Sequence, residues 1–142
     1  MKIRTYKADE LDRLVNIWYE GSLLAHDFIE QNYWKSQQKA MRETYLPMAE
    51  TYVITEENKV VGFISMVDNY LAALFVDYQY QGKGYGKRLL HFIKEKREQI
   101  DLKVYQKNKR AVSFYLKNGF ELCEELFDEL TVEKEFLMKW KR

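Results

Sequence analysis

The spacing of apolar positions changes several times along the chain, and each change marks an element. Ile3 to Tyr6 reads as a short strand. Leu11, Leu14, Val15 and Trp18 then fall at helical spacing, with Asp9 expected as N-cap and Gly21 as the stop. From Leu23 the pattern stays mostly helical through His26-Asp27-Phe28-Ile29 and Tyr33-Trp34, and it ends at Leu46-Pro47. Sheet follows: Thr51 to Thr55, a turn at Glu56-Glu57-Asn58-Lys59, then Val60 to Val67. After Asp68-Asn69, Tyr70 to Val76 is almost wholly apolar, as expected of a central strand buried on both faces. Leu89, Leu90, Phe92, Ile93 and Lys96 return to helical spacing, and Leu102 to Tyr105 is a further strand. Asn108 is expected to cap a helix carrying Ala111, Phe114, Tyr115 and Leu116, which Asn118-Gly119 ends. Phe120 to Phe127 and Glu135 to Trp140 are the last two strands. The predicted order is β-α-α-β-β-β-α-β-α-β-β. There is no internal repeat, linker or low-complexity tract, so residues 1–142 are expected to form a single domain.

Composition narrows the functional classes. Apolar residues make up 46% of the chain and aromatic residues 15%, enough for a packed core. Lys and Arg number 23 against 22 Asp and Glu, a balance that argues against a dedicated nucleic-acid binder. The one cysteine, Cys123, excludes an internal disulfide and a cysteine-rich zinc site, so no metal is expected. A lone thiol suits a reducing compartment, and no apolar signal segment or membrane-length run is present. The expected setting is soluble and cytoplasmic, with no membrane partner.

Three of the six glycines crowd together at Gly82, Gly84 and Gly86, between the apolar strand and a helix. Glycine lets backbone N–H groups converge without Cβ obstruction, and the helix start adds partial positive charge. The result is a cradle fit for a pyrophosphate, with Lys83, Lys87 and Arg88 nearby. A nucleoside-triphosphate loop would place Ser or Thr after Gly86-Lys87, where Arg88 stands. A dinucleotide-binding turn would read G-x-G-x-x-G with an acidic residue ending the next strand; here the turn is G-x-G-x-G and that strand ends in Gln106-Lys107-Asn108. The plain alternative is a tight turn that binds nothing.

The segment Leu74-Phe75-Val76-Asp77-Tyr78-Gln79-Tyr80-Gln81-Gly82-Lys83-Gly84-Tyr85-Gly86 resembles motif A of the GNAT superfamily of N-acetyltransferases, Gln/Arg-x-x-Gly-x-Gly/Ala, matched at Gln79, Gly82 and Gly84. Val104-Tyr105-Gln106-Lys107-Asn108 through Phe114-Tyr115 and Asn118-Gly119-Phe120 resembles the family's motif B. The element order agrees, so the resemblance spans nearly the whole chain. It implies an α/β (α+β) fold: a mixed, mostly antiparallel sheet of about seven strands with about four helices, and a splayed parallel pair at its centre. It also implies acetyl-coenzyme A as cosubstrate, its pantetheine arm held by the backbone of Leu74, Phe75 and Val76. The pyrophosphate would lie on the amides from Gln81 through Gly82, Lys83, Gly84, Tyr85 and Gly86 to Lys87, with Asn108 against the pantetheine or its phosphate end.

Acetyl transfer to an amine needs a route for the amine's proton, a donor to the oxygen that gains charge, and a proton for the departing thiolate. Tyr115 is the candidate proton donor, a role the resemblance implies; it lies about two turns after Asn108 and so points the same way. A core tyrosine packed on Phe114 is the structural alternative. The amide of Phe75 or Val76 would serve the oxygen if the central strand carries a bulge. No base is identifiable, since Tyr70 to Val76 holds no carboxylate; His26 titrates in the right range, but a lone histidine beside Asp27 is more often a capping or packing residue, and a lysine acceptor could also shed its proton to bulk water.

The acceptor site is expected at His26, Phe28, Tyr33, Trp34 and Tyr70, with Asp27, Tyr45 and the Phe136 to Met138 strand nearby. His26-Asp27-Phe28-Ile29, Asn32-Tyr33-Trp34 and Tyr45-Leu46 resemble a small bacterial GNAT subgroup that includes protein-lysine acetyltransferases. A protein or peptide lysine is therefore the first acceptor. The alternatives are a small amine (polyamine, amino acid or aminoglycoside) and a non-catalytic acetyl-coenzyme A binding module. Either a monomer or a homodimer fits the sequence.

Overall fold

The computed structural model describes residues 1–142, arranged as one seven-stranded sheet in the order β1-β2-β3-β4-β5-β7-β6. The strands are β1 (Lys2–Thr5), β2 (Glu50–Glu56), β3 (Lys59–Val67), β4 (Tyr70–Val76), β5 (Gln99–Tyr105), β6 (Glu121–Asp128) and β7 (Glu133–Lys141). All neighbours run antiparallel except β4 and β5. The helices are α1 (Leu11–Ala25), α2 (Gln31–Ala40), the short α3 (Leu46–Met48), α4 (Tyr85–Lys94) and α5 (Lys109–Lys117).

Alternation along the central strands feeds two cores, one on each face. Val53 of β2 and Phe63 of β3 join Leu14, Ile17, Trp18 and Trp34 under α1 and α2. Their neighbours Ile54 and Ile64 join Leu89, Leu90, Ile93, Ile100 and Leu102 under α4 and α5. Fully burying such a side chain is worth roughly 1.5–3 kcal/mol, so the layered pattern specifies the fold.

The entry to α1 differs from the expected one. Lys7, not Asp9, precedes a single 3₁₀ turn over Ala8–Glu10, which runs on into α1. Glu10 closes this turn by accepting from the Lys7 amide at 2.8 Å and is pinned by both guanidinium nitrogens of Arg4. Gly21 does not stop α1, which continues to Ala25. It serves packing instead: a Cβ there would lie 2.7 Å from Cδ1 of Phe75, so only glycine lets β4 approach the helix this closely. The expected helical run from Leu23 is interrupted by a turn over residues 26–29, where the Ile29 amide returns to the His26 carbonyl. Beyond α2 the coil widens into π-helical turns at Met41–Tyr45 ahead of Pro47, whose ring would crowd the carbonyl four residues back in a regular α-helix.

β4 is not buried on both faces. Only Leu71 is buried along it, and residues 73–76 are half-buried. The reason lies in its pairing. Against β3, Ser65 faces Ala73 while Met66 faces Leu71, so Ala72 is an extra, bulged residue. The bulge puts Leu71 and Leu74 on the α4 side and Ala73 and Phe75 on the α1 side. Against β5, β4 pairs only at Tyr70 and Asp101, after which the two strands part.

Candidate active site

The parting of β4 and β5 opens a groove of about 970 Å³. One wall is β4 from Tyr70 to Val76; the other is β5 from Leu102 to Tyr105, continuing through Asn108 into the first turn of α5. The end of α1 and Trp34 roof it, and Phe114 and Tyr115 close it from α5. Backbone polar groups of β4 that would face a strand partner in a regular sheet face this opening instead.

The glycine turn lies at one end. Gly82 and Gly84 have φ of +79° and +86°, a conformation that disfavours any side chain, and Gly84 is the N-cap of α4. The first amide to return a helical bond is that of Arg88, to the Gly84 carbonyl. The amides of residues 82–87 therefore keep no backbone acceptor and gather at the positive end of α4. The Gln81 side chain donates to the Val76 carbonyl at 3.1 Å and fixes the turn against β4. Gln81-x-x-Gly84-x-Gly86 repeats the spacing read at Gln79, Gly82 and Gly84, and it is this second frame that meets the helix start. Arg13 anchors the turn's approach, bonding the Asp77 carboxylate at 2.6 Å and the Val60 carbonyl at 3.1 Å. The Asp77 carboxyl is held below its usual range: burial alone would raise it, and Arg13 and the Gln79 amide outweigh that. Lys87, Lys109 and Arg110 also line the groove, as does Lys107, whose ammonium pairs with Glu133 and lies over the Phe28 ring. Free amides at a helix start with cations along the same groove suit a nucleotide thioester.

Asn108 caps α5 as expected, its Oδ1 accepting from the Ala111 amide at 3.3 Å. Its Nδ2 lies 3.2 Å from His26 Nε2 across the groove. With Oδ1 committed to the cap, Nδ2 is the donor, so His26 Nε2 is the unprotonated nitrogen and Nδ1 carries the hydrogen. His26 is stacked on Trp34 at 5.1 Å and met edge-on by Tyr105 at 5.1 Å. Burial lowers its pKa to about 4. This corrects the expectation that His26 titrates near neutrality: the ring is neutral there, and its basic nitrogen is already engaged.

Tyr115 packs edge-on to Phe114 and Phe120, at 5.3 and 5.4 Å, with 8% of its surface exposed, and that remainder faces the groove. Burial, reinforced by the neighbouring Tyr70, pushes its phenol well above the ordinary value, so it is protonated at any physiological pH. Thus the same side chain is both a core tyrosine and part of the groove wall. The bulge that the chemistry called for exists, but at Ala72 rather than beside Phe75 or Val76.

Of the expected site residues, Leu74, Phe75, Val76, Gln81, Gly82, Gly84, Tyr85, Gly86, Lys87, Asn108 and Tyr115 line the groove, as do His26, Trp34 and Tyr70. Lys83 does not line the groove; its ammonium lies over the ring of Tyr80, 5.5 Å from its centre. Phe28 and Tyr33 stand one layer back, edge-on to His26 and Trp34 respectively. Two lining residues carry chemistry that sequence reasoning missed: Lys103 and Glu135, on adjacent strands β5 and β7. Strand alternation could have placed each on a face, but only the β5–β7 register shows that the face is the groove's.

A bulged, splayed parallel pair feeding a glycine-rich turn defines an acyl-coenzyme A-dependent transferase. Residues 47–122 match the family described as acetyltransferase (GNAT) domain, and the chain belongs to that family. It is 32% identical over 139 residues to the peptidyl-lysine N-acetyltransferase YiaC of Escherichia coli K12, covering 97% of this chain and 95% of that one. The solution structure of apo YjaB from Escherichia coli superposes with a TM-score of 0.87 at 27% identity, covering 98% and 96% of the two chains. The crystal structure of the PaiA N-acetyltransferase of Thermoplasma acidophilum with coenzyme A shares the fold at a TM-score of 0.84 and 23% identity, covering 99% and 98%. The cosubstrate is acetyl-coenzyme A, as for the family. No helix is long and apolar enough to cross a membrane.

Proposed function

We propose that the protein transfers the acetyl group of acetyl-coenzyme A to the side-chain amine of a lysine in a protein or peptide, with both substrates bound together. The observation that carries this reading is the open end of the groove. α1 packs on β3 and β4, and the α1–α2 layer reaches the β5–β7 side only through His26 and Phe28 against Tyr105 and through Tyr33 near Asp128 and Glu135. A lysine side chain can enter there while its main chain stays outside. The full-length similarity to YiaC, named a peptidyl-lysine N-acetyltransferase, points to the same acceptor.

In this reading the free backbone groups of Leu74, Phe75 and Val76 hold the pantetheine as a strand would, and the amides of residues 82–87 bind the diphosphate. Asn108 gives its Nδ2 to the pantetheine in exchange for His26. Tyr115 donates its phenolic proton to sulfur as the carbon–sulfur bond breaks. His26, Trp34 and Tyr70 form the mouth that the lysine passes, with Phe28 and Tyr33 holding the first two in place. The aromatic walls exclude water from a thioester that hydrolysis would waste.

A thiol-release assay on lysine peptides, polyamines and aminoglycosides tests this, with mass spectrometry locating the acetyl group. Acetyl-lysine formation well above that on the small amines is expected. Turnover confined to small amines would refute the lysine reading.

A further inference from the structure

The groove is electrically lopsided. Five cations line it (Lys87, Lys103, Lys107, Lys109 and Arg110), yet among all the residues lining it there is a single carboxylate, Glu135. It sits near the start of β7, directly opposite Tyr105 on β5 and Leu126 on β6. Its side chain is half-buried and takes part in no ion pair, whereas the neighbouring acids are occupied. Glu133 pairs with Lys107, and Asp128 accepts from the Tyr105 hydroxyl at 2.8 Å and from the Leu130 amide at 3.0 Å. Tyr70, close enough to be influenced by Glu135, is also the neighbour that influences Tyr115. Glu135, Tyr70 and Tyr115 all line this one groove.

We infer that Glu135 is the group that takes the proton from the acceptor ammonium, directly or through one water. An unpaired carboxylate there first attracts the cation and then makes it a nucleophile. Glu135 takes one ammonium proton and later gives it to solvent. The nitrogen–carbon bond forms and the carbon–sulfur bond breaks. Tyr115 protonates sulfur and regains the second proton that nitrogen sheds. The groups facing Glu135 are Asp128 on β6, Lys103 on β5, Tyr70 on β4 and Tyr33 on α2. Burial, then Asp128, raises its pKa and Lys103 opposes them; the net rise makes it a better proton acceptor than a surface glutamate.

This inference rests on the reading of the protein as an amine acetyltransferase whose acceptor enters from the β5–β7 side. Its test compares wild type, Glu135→Gln and Glu135→Asp, using a lysine peptide and a small weakly basic amine that is already unprotonated at neutral pH. With the lysine peptide at pH 7.5, Glu135→Gln should lower kcat/KM on the order of 100-fold, mostly in kcat, and the loss should shrink as pH rises. The weakly basic amine should lose less than about fivefold, acetyl-coenzyme A affinity should not change, and Glu135→Asp should recover part of the activity. Retention of lysine turnover, or an equal loss with both acceptors at every pH, would overturn the role. If wild type acetylates small amines but no peptide, the lysine reading falls and the comparison is made on a strongly and a weakly basic small amine. If wild type acetylates no amine, both readings fall.

Discussion

Asn108 and His26, 82 residues apart in sequence, hold one hydrogen bond across the groove, and that bond sets the chemistry of both side chains. Because the amide also caps α5, the histidine receives a donor on Nε2 and is left neutral in an aromatic box. Its pKa of about 4 lies below the ordinary value of 6.5, so between those limits the unfolded chain binds a proton that the folded chain does not. Stability should therefore be intact above about pH 6.5 and decline as pH falls towards 4, by at most roughly 3 kcal/mol from this residue. Thermal melts of wild type and His26→Gln at pH 7.5 and pH 5 check this. The wild type should lose more melting temperature on acidification than the variant does. Across pH 6–9, His26 should contribute no limb to the kcat/KM profile.

Gly21 lets α1 approach the Phe75 ring so closely that a Cβ there would lie 2.7 Å from its Cδ1. The obstructed atom is on the ring, and the ring is held on its other side by Phe63, stacked at 6.0 Å. Gly21→Ala should therefore cost about 1–3 kcal/mol despite alanine's higher helix propensity. It should also raise the KM for acetyl-coenzyme A, because β4 carries the displaced ring. Adding Phe75→Leu should recover part of the lost stability, and chemical denaturation of the single and double variants measures the coupling.

These cases show where the sequence could be read and where it could not. The strands were legible because Val53/Ile54 and Phe63/Ile64 alternate between two cores, and the tight turn before α4 because Gly82 and Gly84 meet a positive-φ requirement. Gly21 was misread because a packing notch and a helix stop both ask for glycine, and only the position of Phe75 separates them. The apolar run of β4 looked like doubly buried strand because a cofactor groove selects the same residues as a protein core. His26 looked titratable because composition carries no information about the Trp34, Tyr105 and Asn108 that enclose it. Glu135 was invisible as a site residue because its meaning depends on the register between β7 and β5.

The glycines of the turn should separate binding from stability. A Cβ at Gly82 or Gly84 would meet no atom within 4 Å, so the cost of alanine there is conformational, about 1 kcal/mol each from positive φ. If the turn relaxes to relieve that cost, the converging amides disperse. Gly82→Ala and Gly84→Ala should each raise the KM for acetyl-coenzyme A about tenfold or more, with a small change in melting temperature. Gly86 differs: it lies in the first turn of α4 and its Cβ would make ordinary contacts with Phe114 and Val76 at 3.7 and 3.8 Å. Gly86→Ala should leave the melting temperature unchanged or raise it. Calorimetry with acetyl-coenzyme A and thermal melts on the three variants check both halves.

Tyr115 offers a cleaner separation, since its ring and its hydroxyl have different tasks. The ring fills space between Phe114 and Phe120, and phenylalanine fills the same space. Tyr115→Phe should accordingly match or exceed wild type in melting temperature, because a buried hydroxyl is removed with its desolvation cost. The KM for acetyl-coenzyme A should stay within about twofold, as the groups proposed to hold its diphosphate and pantetheine are other residues. The loss should appear in kcat, on the order of 100-fold, if proton delivery to sulfur limits the reaction. A thioester carrying a more acidic thiol needs that proton less and should lose less. The elevated phenol also predicts no alkaline fall in wild-type kcat from Tyr115 up to about pH 10, the ordinary tyrosine value, which it exceeds. Steady-state kinetics with the two thioesters decide the matter: equal losses with both would assign Tyr115 to the core alone.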